Sequence, residues 1–329
     1  MGKKRLRKNR KKTVKETPVV VVKEQTHKKA KVKQDNVFLE FYDKKYKALL
    51  IIPFLILILA ISQIAFQTVT TGEFVNRGVS LKGGTTITIP TDKQLNQDEM
   101  ISNAKLALPK NDVEIRVLKT AGVQTSVIVE SDATGKVDTE NLLSSLEKST
   151  GFNQSEFSVD VIGSSLGSSF FKEIIIALIV AFVFMGIVVF LYFRTTVPSL
   201  AVILAAFSDM TVTVAIVNIM GIKLSTASVA AFLMLIGYSI DTDILLSTRL
   251  LKHKGGTVFE RVIQSAKTGI TMNITTVVAI TVVLILSKSE VLIQIMSILF
   301  IGLLADLINT WIQNVGILRI YLERKKNEI

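Results

Sequence analysis

Gly237-Tyr238-Ser239-Ile240-Asp241-Thr242-Asp243-Ile244-Leu245-Leu246-Ser247-Thr248-Arg249 continues, without a break, the apolar run Ala227 to Ile236. Asp241 and Asp243 therefore sit on a segment that reads as membrane helix. A carboxylate near the middle of such a helix costs about 2.5–3.5 kcal/mol on insertion scales. A sequence that keeps two in one turn is a candidate for using them. The alternative is that both lie near the water interface, with Arg249 reaching to the headgroups beyond them. Being two residues apart, they stand about 200° apart around a helix. They do not form a facing, proton-sharing dyad unless the helix is broken locally. One of them faces the bundle interior or a partner subunit while the other faces the inner mouth.

Outward from this stretch the chain repeats the pattern. Ala48 to Gly72 carries no charge and is centred on Leu49 to Ile61, enough to cross a bilayer core. It reads as an uncleaved signal anchor rather than a cleaved signal peptide. Further spans fall near Ile174–Phe193, Val197–Met220, Thr226–Leu246, Gly269–Ser287 and Val291–Arg319. Arg194, then Arg249, Lys252, Lys254, Arg261 and Lys267, then Arg319 and Arg324 to Lys326 fall on one side. The short connections Gly221-Ile222-Lys223 and Lys288-Ser289-Glu290 fall on the other. By the positive-inside rule both termini are expected in the cytoplasm and residues 73–172 outside.

Composition agrees. Of 329 residues, 49% are hydrophobic, and the mean hydropathy is +0.46, too apolar for an ordinary soluble domain. With no Cys and only two His, His27 and His253, a disulfide, a thiolate nucleophile and a histidine relay inside the membrane are excluded. No cofactor or metal is expected. Residues 1–47 hold 17 Lys/Arg and 5 Asp/Glu, which accounts for the whole net charge of +12. Such a basic tail is expected to be disordered. It serves either as a solvated topology anchor or to meet anionic lipid or ribosomal RNA; nothing in the chain points to DNA. Val37 to Lys47, with aromatics among charges, suits a short helix lying on the membrane surface.

Residues 73–172 change character and are long enough for a domain of their own. Thr85 to Ile89 alternates as a strand, Asn96 to Leu108 is helical, and Val113 to Leu118 and Gln124 to Glu130 are strands joined by an Ala121-Gly122 turn. Thr139 to Lys148 is a helix closed by Gly151, and Phe157 to Ile162 is the last strand. The order β-α-β-β-α-β is the ferredoxin-like arrangement. Gly163-Ser164-Ser165-Leu166-Gly167 matches the G-x-S-x-G nucleophile pattern. Its partner histidine is missing, because both His are expected across the membrane, so no enzyme is supported. The absence of a G-x-x-x-x-G-K-[ST] loop argues against an ATP-driven pump. The expected division is a basic cytoplasmic tail (1–47), a first span (48–72), an extracytoplasmic ferredoxin-like domain (73–172), spans two to six (173–320) and a cytoplasmic C-terminus (321–329).

The charges inside the spans are few. Asp209 lies in the third, Asp241 and Asp243 in the fourth and Asp306 in the sixth, with Lys267 at the inner mouth of the fifth and Asn273 a turn or two deeper. Burial disfavours the charged form of a carboxylate, which is the chemistry of a proton-titrating site; Lys267 is the natural counter-charge. The competing reading is helix–helix glue, with the carboxylates hydrogen-bonded to Ser, Thr and Asn neighbours. That reading weighs most for Asp306, beside Asn309 and Thr310.

Four stretches carry a resemblance. Gly78-Val79-Ser80-Leu81-Lys82-Gly83-Gly84-Thr85 lies just outside the first span, and Ile162-Gly163-Ser164-Ser165-Leu166-Gly167 re-enters the second. Ser208-Asp209 is in the third, and Gly237-Tyr238-Ser239 with its aspartates in the fourth. In this order and topology they resemble the SecF family, the smaller subunits of the SecD–SecF protein-export complex, in its archaeal form. The resemblance covers positions 78 to 249, and the six-span layout carries it to the C-terminus; the basic tail is outside it. It implies half of a transporter of the RND superfamily, pairing with SecD beside the SecYEG channel in the cell membrane. There it helps preproteins complete translocation, in bacteria by using the proton-motive force. In the bacterial relatives the fourth-span acid falls where this chain has Thr242, between Asp241 and Asp243, and the basic partner is an Arg where this chain has Lys267. Two other functions compete: a proton-coupled exporter of a small molecule or lipid on the same fold, which lacks here a large porter region, and a passive translocon assembly factor with no ion cycle.

Overall fold

The computed structural model describes residues 37–120, 123–252, 255–287 and 289–327. The basic tail before residue 37, the expected Ala121-Gly122 turn, His253, Lys254 and Lys288 lie outside the described residues. The chain enters through helix α1 (Val37–Leu49) and turns into α2 (Ile51–Thr71). A single short turn, α3 (Val79–Lys82), leads into the sheet.

The domain that follows runs β1 (Gly84–Pro90), α4 (Gln97–Ala107), β2 (Val113–Thr120), β3 (Val123–Ser131), α5 (Lys136–Thr150) and β4 (Ser158–Ile162). Its strands lie in the order β2-β3-β1-β4, with every neighbouring pair antiparallel. This is the ferredoxin-like β-α-β-β-α-β fold. Alternation along the strands turns Ile87, Ile89, Val127 and Val129 to one face, where they bury against Met100 and Ala104 of α4 and Leu142 and Leu146 of α5. Asn96 starts α4 by accepting from the Glu99 amide at 3.4 Å.

The remainder is α6 (Ser164–Phe193), α7 (Thr196–Ile219), α8 (Ser228–Lys252), α9 (Val258–Leu286), α10 (Glu290–Ile308), a π-helical turn (Asn309–Asn314) and α11 (Val315–Asn327). With α2 this gives, among the described residues, six helices long and apolar enough to cross a membrane, the sixth being α10 continued through the π turn into α11. α7 is central, touching α2, α6, α8, α10 and the π turn. Its buried Ala201, Ala205, Ala206 and Ala215 let those backbones approach closely, as packing without a hydrophobic driving force requires.

Several ends differ from the sequence reading. α9 begins at Val258 rather than Gly269, because Thr257 and Glu260 form a reciprocal capping box ahead of the apolar run. α6 begins at Ser164 rather than Ile174: polar residues beyond an apolar stretch continue the helix wherever the chain has no breaker.

Two junctions hold the parts together. At one end of the bundle the Gly-rich segment meets the start of α6. Gly83 has φ +90°, and a Cβ there would lie 2.4 Å from Ser164 Cα, while one on Gly167 would lie 2.5 Å from the Gly83 nitrogen. Only glycines allow that approach. Gly78 donates to the Leu224 carbonyl at 2.8 Å and Leu224 donates back to Asn76 at 2.7 Å, which ties the segment to the α7–α8 connection. Lys223 on that connection pairs with Glu114 and Glu130, and Arg116 bridges Glu130 and Glu290 at the start of α10. At the other end α1 is helical as expected, and it packs on α11. Arg319 donates to Asp43 at 2.5 Å and lies over the Tyr46 ring.

Candidate functional site

Polar groups in the spans concentrate where α7, α8, α9, α10 and the π turn meet. Asp209 of α7, Asp243 of α8 and Asp306 of α10 are each fully buried. A π turn advances the chain by an extra residue per turn, and such turns occur frequently at functional sites. Here the Asn-Thr-Trp-Ile-Gln-Asn run aims most of its polar side chains at the carboxylates. Asn309 Nδ2 donates to Asp209 Oδ1 at 2.7 Å, Asn314 Nδ2 donates to Asp243 Oδ1 at 2.7 Å, and Gln313 Nε2 donates to Ser208 Oγ at 3.2 Å.

Thr310 stands between two acids. Its hydroxyl lies 3.0 Å from Asp243 Oδ1 and 2.9 Å from Asp306 Oδ1. A hydroxyl carries one hydrogen and two acceptor lone pairs, so it gives its hydrogen to one carboxylate at a time. The other Asp306 oxygen accepts from Asn273 Nδ2 at 3.0 Å, and the other Asp209 oxygen accepts from Ser239 Oγ at 2.6 Å. Asp243 Oδ2 is buried and receives no hydrogen bond, as do Gln313 Oε1 and Asn314 Oδ1. The partners are amides and hydroxyls throughout. A buried charge costs several kcal/mol unless it is paired, which makes the three carboxylates candidates for proton exchange.

The other sequence candidates fall elsewhere. Asp241 is exposed on the opposite side of α8 from Asp243, and Lys267 is exposed on α9; neither joins the cluster, so the expected Lys267 counter-charge is not among its partners. The cause for Asp241 is helix phase, about 200° from Asp243. Thr242 is buried, bonds back to the Tyr238 carbonyl at 3.3 Å, and with Trp311 covers Gly269, where a Cβ would lie 2.3 Å from the indole. Gly237 and Tyr238 lie on the exposed side of α8, while Ser239 enters the cluster.

The remaining motif positions lie within the ferredoxin-like domain and where it joins α6. Gly84 opens β1 opposite Ile162, Thr85 is buried and donates to the Ala133 carbonyl at 2.7 Å, and Gly163 precedes α6. Sequence reasoning missed Gln313 and Asn314. Their signal is the polar spacing Asn309, Thr310, Gln313, Asn314 inside an otherwise apolar span.

The family model "Protein export membrane protein SecD/SecF, C-terminal" matches residues 142–324, which include the whole cluster. The protein-export membrane protein SecF of Pyrococcus furiosus is 41% identical over 282 residues, 86% of this chain and 93% of the relative. That of Methanothermobacter thermautotrophicus is 39% identical, over 85% of this chain and 94% of its own. Among solved structures, SecDF of Thermus thermophilus, a translocon-associated membrane protein, superposes with a TM-score of 0.66 at 17% identity. The match takes in 88% of this chain but 39% of that one, so this chain corresponds to part of it and the likeness concerns the fold. The sequence relatives, matched over nearly their whole length, decide the family: this multi-pass membrane chain belongs to the SecF family of protein-export membrane proteins.

Proposed function

We propose that this chain is an accessory, non-enzymatic subunit of protein translocation that pairs with SecD beside the SecYEG channel. In this reading its buried carboxylates pass protons in step with that work. Both termini lie in the cytoplasm and the ferredoxin-like domain lies outside, an orientation supported by the Lys and Arg at the α1–α11 end of the bundle.

The observation that carries the proton reading is the Thr310 hydroxyl between Asp306 and Asp243. When Asp306 holds a proton, Thr310 accepts it while giving its own hydrogen to Asp243, and the hydroxyl stays neutral throughout. Asp243 and Asp209 also bond Asn314 and Asn309 of the same π turn. A change of charge on either is therefore felt by one short segment joining α10 to α11. The outer domain rests on the opposite end of the bundle, and its rigid-body displacement is the mechanical step.

An export assay in cells carrying Asp243→Asn or Asp306→Asn, with co-purification of SecD, tests this. Export lost with the complex intact supports ion-driven work. Export unchanged leaves a passive assembly factor, and loss of the complex makes the carboxylates structural glue.

A further inference from the structure

The π turn that presents the donors is held from outside the membrane-spanning bundle. Tyr42 of α1 reaches the turn and donates its hydroxyl hydrogen to the Trp311 carbonyl, the residue next to Thr310. Burial pushes the Tyr42 phenol up to about 12, with Arg319 opposing, so it remains a donor at cellular pH. α1 is itself fixed to the segment that follows the turn. Arg319 bonds Asp43 at 2.5 Å, Lys47 pairs with Glu323 at 3.2 Å, and a Cβ on Gly316 would lie 2.6 Å from Leu50. On its far side the Trp311 indole packs on Gly269 of α9. The turn is thus gripped at its backbone by α1 and at its ring by α9, while Asn309, Thr310 and Asn314 face the carboxylates.

We infer that Tyr42 is a positioning residue for the carboxylate cluster: through the Trp311 carbonyl it fixes the π turn that aims Asn309, Thr310 and Asn314 at Asp209, Asp243 and Asp306. α1 is then a brace at the α1–α11 end of the bundle, and undocking it loosens the hydrogen bonds inside. The inference concerns the aim of these donors and rests on the proposed function only for its consequence in export.

The test uses the full chain with its SecD partner in lipid nanodiscs and compares wild type with Tyr42→Phe, which removes one oxygen and keeps the ring. Nuclear magnetic resonance follows the side-chain amides of Asn309 and Asn314, with Asn103 of the outer domain, bonded to Ser149 at 2.9 Å, as the control. Hydrogen exchange follows the backbone of residues 309–316. The expected result is displaced Asn309 and Asn314 amide signals, an unmoved Asn103 signal, and exchange about five- to tenfold faster at 309–316. Arg319→Gln, which removes the Asp43 contact that holds α1 on α11 and keeps the Tyr42 hydroxyl, gives the same pattern, and Tyr42→Phe/Arg319→Gln adds little to either. Asn309 and Asn314 signals unchanged in both single variants overturn the inference, even if exchange rises. These readouts need no proton movement, so failure of the proton reading leaves them standing.

Discussion

Gly167 and Gly83 touch backbone to backbone: a Cβ on Gly167 would lie 2.5 Å from the Gly83 nitrogen and 2.8 Å from the Lys82 carbonyl carbon. Neither atom belongs to a side chain that can swing away. Gly167→Ala is expected to destabilise the folded protein by about 1–3 kcal/mol, the range for overpacking a tight contact. Gly163→Ala, with nothing within 4 Å, is expected to cost at most about 1 kcal/mol. Thermal unfolding of the purified protein separates them; equal losses would contradict the close contact.

The charged contacts beside that glycine junction set how firmly the ferredoxin-like domain is seated. Lys223 meets Glu114 and Glu130, and Arg116 reaches Glu290 at 3.9 Å. Glu130 is buried but the other groups are partly exposed, so Lys223→Gln is expected to weaken docking by about 1 kcal/mol, with a similar effect of high salt on the wild type. Spin labels at Leu106 and Val291, both exposed, report it as a broader distance distribution. A distribution indifferent to both changes would mean that the backbone contacts alone seat the domain.

Glu73, just beyond α2, gives the same junction a pH dependence. Burial pushes its carboxyl up, but hydrogen bonds and charge from Arg77 and Lys82 outweigh burial and hold it below its ordinary 4.5. A carboxyl lowered by folding contributes stability above its unfolded value and loses it as pH falls through the folded one. Wild type is therefore expected to exceed Glu73→Gln in unfolding temperature at neutral pH, with the gap closing below about pH 4.5. A gap that persists in acid would contradict the ion-pair account.

The ferredoxin-like domain was legible in the sequence because period-2 strands and capped helices leave marks that need no tertiary knowledge. Thr85 to Ile89 and Val113 to Leu118 fall within β1 and β2. The spans were legible from their apolar runs. Helix phase was not. A soluble helix shows its inner face by an apolar stripe, but in a membrane both faces are apolar, so nothing in the sequence tells that Asp243 turns inward while Asp241 and Lys267 stay on the exposed surface. The π turn has no period of its own in the sequence. Asn314 and Gln313 become donors to the site only once the positions of Asp243 and Ser208 are known.

The central claim is that Thr310 passes a proton between Asp306 and Asp243, and one pair of substitutions addresses it directly. Thr310→Ser keeps the hydroxyl, whereas Thr310→Val keeps the shape and removes it. The measurement is proton-motive-force-dependent export in cells, normalised to the amount of chain co-purifying with SecD. Retained export in Thr310→Ser with a loss of about tenfold or more in Thr310→Val is the predicted result. Thr310→Val exporting as well as wild type, with the complex intact, would contradict it.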